Sequence, residues 1–357
     1  MASLAPAKHA PCWRAGCDMK AAQTSPNHRH PALVGLALFA VLLWAMPGTA
    51  HGQVLFVSNT ANNTIGAYDA NTGAEINASF ITGLSGPKGL AVSGSTLFVA
   101  NSSFPGSGTI GKYDASTGAV LDAAFITGVF ARDLAVSGSN LFVTNGSGAV
   151  AKYDASTGAR INLGFVTVAF GQPQGVAVSG SSLFVGNASF GGTVGKYDVA
   201  TGTTTNSSFV TGLVNPHGVA VSGSDLFVSI DSQVGKYDVS FGVGSTIIGG
   251  LSSPVGLAVS GLDLFVANSG NGTIGKYDAT SGAALNTSFI TGLSSPAYIA
   301  FGSGAAIPEP STYAVLVGVG ALGVALLRRR LRAQSDRTQG PRSTPSSSSP
   351  RRQRRWA

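Results

Sequence analysis

The chain has 357 residues, 44% of them hydrophobic and 10% charged, with 49 glycines and a formal net charge of +7. The charge belongs to one end: residues 53–306 hold 8 Lys and Arg against 12 Asp and Glu, a net −4, while residues 328–357 hold 10 Arg against one Asp. An acidic middle excludes nucleic-acid binding, which needs basic and aromatic residues gathered on a folded face, and its apolar, glycine-punctuated composition excludes a disordered chain.

Residues 1–52 read as a signal-peptide region. The apolar run from Ala32 to Met46 follows Arg29 and His30 and precedes the small residues Gly48, Thr49 and Ala50, the order of a secretory signal. At about 15 residues the run is short for a permanent span of about 20. The stretch before it is long for such a signal, and Met19-Lys20 makes a more ordinary start. Cys12 and Cys17 both precede the run, so cleavage after Ala50 or Gly52 leaves a mature chain with no cysteine. No disulfide is then available. An uncleaved N-terminal anchor is the alternative.

From residue 53 to 304 the chain repeats a unit seen whole in Pro254–Leu293, where GLAV, LFVAN, GTIGKYD and TSFITGL are short β-forming runs separated by turn residues. LFV recurs at Phe56, Phe98, Phe142, Phe184, Phe227 and Phe265, and Tyr-Asp at Tyr68, Tyr113, Tyr153, Tyr197, Tyr237 and Tyr277, with a period of 38 to 45 residues. Four strands per unit at that period predict a propeller; helical repeats would need long 3.6-periodic segments, which are absent.

Residues 53–84 supply the second to fourth strands of a blade without its first. Complete blades run Pro87–Gly128, Ala131–Phe170, Pro173–Leu213, Pro216–Leu251 and Pro254–Leu293, and an orphan first strand follows at Tyr298–Gly302. The expectation is an all-β, six-bladed β-propeller of four-stranded blades, plus an N-terminal signal helix and a C-terminal single transmembrane helix. The last strand should complete the first blade, which removes exposed sheet edges.

The repeat residues Pro216-His217-Gly218-Val219-Ala220-Val221 and Ile274-Gly275-Lys276-Tyr277-Asp278 resemble the NHL-type propeller pattern over residues 55–302. That resemblance implies fold and says little of function, since such propellers serve as binding platforms, scaffolds and occasional lyases or lactonases.

Residues 305–332 form a different module: Pro308-Glu309-Pro310, then AVLVGVGALGVALL to Leu327, then Arg328, Arg329, Arg330 and Arg332. Order and spacing resemble the PEP-CTERM sorting signal of Gram-negative bacteria, which implies reading by an exosortase-type membrane transpeptidase and passage to the cell surface or extracellular matrix. About 15 apolar residues span roughly 22 Å as a helix, less than the ~30 Å hydrocarbon core, in keeping with a transient hold in the inner membrane. The arginines would stay cytoplasmic. A plain anchor is the alternative, though it has no need of Pro-Glu-Pro before the helix. Residues 333–357 read as a disordered Arg/Ser/Pro-rich tail.

Within the repeat, most polar residues have structural readings. Each Asp after Tyr (Asp69, Asp114, Asp154, Asp198, Asp238, Asp278) opens a turn of the Asp114-Ala115-Ser116-Thr117-Gly118 kind, where it should accept its own turn's N–H groups. Lys112, Lys152, Lys196, Lys236 and Lys276 form a ring, each with an Asp two residues on that should neutralise it. Asn59, Asn101, Asn145, Asn187 and Asn268 end the second strand and should cap hairpins. Symmetry breaks one residue after the blade-opening Pro position, at Lys88, Arg132, Gln174, His217, Val255 and Ala297. These begin the innermost strands, so Lys88, Arg132 and His217 are the candidate ligand residues at one channel mouth, with Asp133 offsetting part of their field.

No catalytic set, metal set or cofactor motif emerges, because His217 is the single His and Glu75 the single Glu within residues 53–306. The sequence therefore predicts an exported binding or structural module. Its expected partners are the exosortase and inner membrane in transit, then an acidic polysaccharide or other surface proteins. Two alternatives remain, a secreted lyase or lactonase using His217 at the channel mouth and a permanently membrane-anchored periplasmic propeller.

Overall fold

The repeat's strand runs and turn punctuation resolve into blades in the computed structural model, which describes residues 52–302 except 103–107, 147, 169–170 and 190. The expected signal helix, sorting module and tail lie outside the described residues, apart from Gly52 at the end of the signal region. Among the described residues no helix is long and apolar enough to cross a membrane.

The first blade holds β1 (Val54–Asn59), β2 (Thr64–Asp69) and β3 (Glu75–Ile81). The second is β4 (Pro87–Ser93), β5 (Thr96–Asn101), β6 (Thr109–Asp114) and β7 (Val120–Thr127), and the third is β8 (Ala131–Ser137), β9 (Asn140–Asn145), β10 (Ala149–Asp154) and β11 (Arg160–Thr167). Then come β12 (Pro173–Ser179), β13 (Ser182–Asn187), β14 (Gly192–Asp198) and β15 (Thr204–Leu213), followed by β16 (Pro216–Ser222), β17 (Asp225–Ile230), β18 (Gln233–Asp238) and β19 (Gly244–Ile248). The sixth blade is β20 (Pro254–Ser260), β21 (Asp263–Asn268), β22 (Thr273–Asp278) and β23 (Ala284–Ile290), and β24 (Pro296–Gly302) ends the series.

All six sheets have four strands, and the first has the order β24-β1-β2-β3. Its closing register pairs Leu55 with Phe301, Phe56 with Ala300 and Val57 with Ile299. The offset of the repeat thus ties the two ends of the described chain together. The first strands β4, β8, β12, β16, β20 and β24 neighbour one another in a closed inner ring.

The LFV strands are buried on both faces because each lies between two seams. In β5, Leu97 and Val99 join the core shared with the first blade, whereas Phe98 and Ala100 join the core shared with the third. The period-2 alternation of a strand sends successive side chains to opposite neighbours. Fourth strands lie outermost, and Val120 and Leu121 of β7 are exposed.

The Gly of each Thr-Gly-type turn is where consecutive blades meet. Gly202 has φ +76°, and a Cβ there would collide with the carbonyl oxygen of Phe165 in the preceding blade, whereas Gly180, at φ +56°, has open space. An L-residue in this region costs about 1–2 kcal/mol, and forced overpacking adds roughly 1–3. We expect Gly180→Ala to lose only the first amount and Gly202→Ala both, measured by urea unfolding. Equal losses would remove this glycine from the seam.

Candidate functional site at the channel

The six inner strands, four of which start Pro-x-Gly, bring their second residues to one mouth of the channel. Arg132 on β8 donates from Nη1 to Gln174 Oε1 of β12 at 2.6 Å. Lys88 on β4 stands over the Phe130 ring, Nζ at 5.5 Å from its centroid. Burial and then the Arg132 charge lower the pKa of Lys88, and the same two causes in the same order lower that of His217 on β16. The three residues singled out from sequence therefore share one electrostatic patch centred on Arg132. Val255 and Ala297, at the equivalent positions of β20 and β24, are partly buried against apolar core. The mouth thus has a cationic half and an apolar half.

Arg132 also has a buried Nε with no hydrogen-bond partner. A buried guanidinium N–H left unsatisfied costs about 1–3 kcal/mol or more, so the region around Arg132 favours an anionic or carbonyl oxygen.

One residue deeper, the repeat's Gly position is where adjacent inner strands touch. A Cβ at Gly89, Gly175, Gly218 or Gly256 would collide with the next inner strand. Two strands depart from Gly here, placing Asp133 and Tyr298 in the channel. Together with Leu90, Val176, Val219 and Leu257 they line a cavity of about 70 Å³ to which all six inner strands contribute.

Asp133 is 6% exposed. Its Oδ1 accepts from Leu134 N at 2.8 Å and its Oδ2 from Val176 N at 3.0 Å. Burial outweighs these two donors and raises its pKa to about 7. Tyr298 donates from Oη to Gln174 O at 3.4 Å. Burial, then the Asp133 charge, push its hydroxyl well above the usual value of 10.0, with Arg132 opposing. The carboxyl expected from sequence to offset the mouth's field thus turns inward beneath it, where burial favours the neutral form below about pH 7.

The other repeating polar residues are structural. Asp114 Oδ1 accepts from Ser116 N, Ser116 Oγ, Thr117 N and Thr117 Oγ1 at 2.6–3.0 Å, which lowers its pKa, Ser116 first. The lysine ring corrects the sequence reading, because each Asp two residues on is occupied by its own turn. The lysines reach the next blade instead: Lys152 Nζ donates to Ala200 O at 3.2 Å and Lys196 Nζ to Val239 O at 2.7 Å. Lys236 and Lys276 pair with Asp225 and Asp263, each at 2.9 Å. All five stand over Phe rings of their own blade.

Asparagine capping holds only in part. Asn145 Oδ1 accepts Ala149 N across its hairpin, whereas Asn187 Oδ1 serves Gln172 N of a different loop.

Among the described residues no three His, Cys, Asp or Glu converge as metal ligands. Pro308, Glu309, Pro310 and the arginines at 328, 329, 330 and 332 lie outside the described residues.

Comparison with known proteins separates the two modules. The family described as outer membrane protein assembly factor BamB matches residues 61–283, and the PEP-CTERM protein-sorting motif matches residues 306–330. The sorting motif implies export through the membrane to the cell surface, with processing by an exosortase. No curated protein matches the chain. Among solved structures, a chain of the nidogen/laminin complex is similar at 13% identity and a TM-score of 0.61, covering 70% of this chain and 98% of that one. The computationally designed Ika8 protein is 18% identical at a TM-score of 0.42, covering 70% and 77%. At such identities the first likeness concerns the fold alone.

Proposed function

The chain belongs to the outer membrane protein assembly factor BamB family, and from that membership, its sorting motif and its cationic channel mouth we propose a non-catalytic binding module at the cell surface or matrix. Its ligand is anionic, an acidic polysaccharide in this reading, held at the mouth formed by Lys88, Arg132 and His217. The observation that carries the proposal is the convergence of these residues around Arg132, whose Nε is buried without a partner. A concave, polar, non-repeating patch on a repeating scaffold is the place where recognition is expected. The family's description, an assembly factor, supports a holding role over turnover. The inner membrane and the exosortase are then partners in transit only.

Replacing Lys88, Arg132 and His217 together with Ala tests it in the intact chain, with a uronic-acid polysaccharide as probe at low and moderate salt. Loss of two partly buried cations and the His217 imidazole should weaken binding at least about tenfold, roughly 1.4 kcal/mol. Wild-type binding should weaken as salt shortens the Debye length to about 10 Å at 0.1 M. Unchanged affinity, or affinity that follows the Lys152 and Lys196 ring instead, rejects the mouth as the site.

A further inference from the structure

The fourth strands carry a Phe in five blades, and each ring packs on the Phe of its own LFV strand: Phe80 on Phe56, Phe125 on Phe98, Phe165 on Phe142, Phe209 on Phe184 and Phe289 on Phe265, with centroids 5.2–5.7 Å apart. The fifth blade departs from this. Its β19 has 5 residues where the other fourth strands have 7 to 10, and Ile247 packs against the core around Phe227 where the ring would be.

The space is not reclaimed. Between the fifth and sixth blades lies a cavity of about 290 Å³, lined on one side by Ile247 to Ser252 and on the other by Asn268, Asn271, Tyr277 and Thr287 among others. Gly249 and Gly250 leave its rim open, with nothing within 4 Å of where their Cβ atoms would stand. Asn268 is 3% exposed; its Nδ2 donates to Thr273 Oγ1 at 3.3 Å, but its Oδ1 is buried without a partner. Asn59 and Asn101 leave the same oxygen unpaired, yet the seams beside them keep Phe289 and Phe80. Asn268 is the one of the three that lines this open volume.

We propose that this seam is a second ligand site, separate from the channel, which takes a neutral, hydroxyl-bearing ring such as a single sugar unit. The lining residues carry amide, hydroxyl and aliphatic groups and no Asp, Glu, Lys, Arg or His, so it offers an ion nothing to offset its desolvation. Ser252, Asn271 and Thr287 offer hydroxyl and amide partners to sugar hydroxyls, and Ile247 and Leu251 offer apolar surface to the C–H face of the same ring. The volume sits just below the roughly 300–1,000 Å³ of small-molecule sites, which suits one ring rather than a chain.

Saturation-transfer NMR on the intact chain, with glucose, galactose and N-acetylglucosamine as probes, decides the matter. Ile247→Phe restores the ring of the other blades and fills the cavity; Gly249→Leu blocks the rim at a position without positive φ and serves if the first variant fails to fold. The expected result is a saturation signal from at least one sugar in the parent protein, insensitive to salt, retained in the Lys88/Arg132/His217 triple-Ala variant, and reduced at least tenfold by either seam variant. No signal from any of the three sugars overturns the proposal. So does a signal that survives a folded seam variant, or one lost with the channel residues.

Discussion

Deletion of Pro296–Gly302 leaves a chain that aggregates or fails to fold. This strand is the one element that closes the ring, pairing with β1 along Leu55, Phe56 and Val57. Without it, the backbone N–H and C=O groups of β1 become an open edge, a template for pairing with other chains. Tyr298 and Ile299 are 7% and 6% exposed, and the Phe301 ring packs on Phe265 at 5.4 Å. Burial of such side chains contributes about 1.5–3 kcal/mol each, so the three together approach the 5–15 kcal/mol that holds a typical domain. Size-exclusion chromatography and thermal melting of the deletion variant check this, and a monomer with an unchanged midpoint would show that closure does not hold the ring. Ile299→Ala grades the same effect at about 2–5 kcal/mol. Leu121→Ala on outer strand β7, where the side chain is 55% exposed, should stay within about 0.5 kcal/mol.

The blade plan was legible because the signal is repeated six times and strand and turn chemistry agree within each copy. The offset was legible too, since a blade without a first strand at one end and a first strand without a blade at the other have one economical solution. The channel is legible only to within one residue. Lys88, Arg132 and His217 mark its mouth, but the axis is reached at the next position, where Gly is the rule and Asp133 and Tyr298 are the exceptions. Comparison of the six inner-strand segments at that column exposes both. Period-2 reasoning places each Lys and the following Asp on one side of a strand, yet cannot show that the Asp is claimed by its own turn while the Lys spans to the next blade. That is tertiary information. The seam cavity left a trace in the sequence, the shortened segment between Asp238 and Ile248 and the Phe-to-Ile change at Ile247, but its volume depends on how two blades pack.

Residues 52–302 contain no cysteine, so the propeller takes its stability from packing and polar contacts between blades. The lysine contacts supply part of this: each crosses a seam or pairs locally while its stem covers Phe rings, so charge and apolar burial act together. The first blade has Ala67 at the lysine position, opposite Phe56 in register. Its seam with the second blade is bridged at another place, where Thr60 Oγ1 donates to Pro87 O at 2.8 Å and Gly86 N donates to Asn63 Oδ1 at 2.8 Å.

Asp133→Asn should flatten the pH dependence of stability between about pH 4 and pH 7. The carboxyl titrates near 7 in the folded protein against a reference of 3.8, so within that window the folded state holds a proton that the unfolded state has released. Stability from the neutral form is therefore fully present below the reference value and is lost as pH rises through the folded value. At 1.36 kcal/mol per unit, the loss approaches about 4 kcal/mol across the window. The turn carboxylates act elsewhere: Asp154, held at about 2 by Ser156 and Thr157, loses its contribution as pH falls below the reference. His217 runs opposite to Asp133, since its pKa lies below 6.5 and its contribution fades as pH falls through that lowered value. It is common to both proteins, as are Arg132, Lys88 and Tyr298 around the channel, so the difference between parent and variant isolates the carboxylate. Thermal melts at half-unit pH steps provide the measurement. The same titration bears on the ligand, because protonation of Asp133 below about pH 7 removes the one negative charge beneath the cationic mouth, and acidic polysaccharide should bind more tightly there. Parallel stability curves for the parent protein and the Asp133→Asn variant across the window would mean that the carboxylate stays ionised in the channel, and both expectations would fail together.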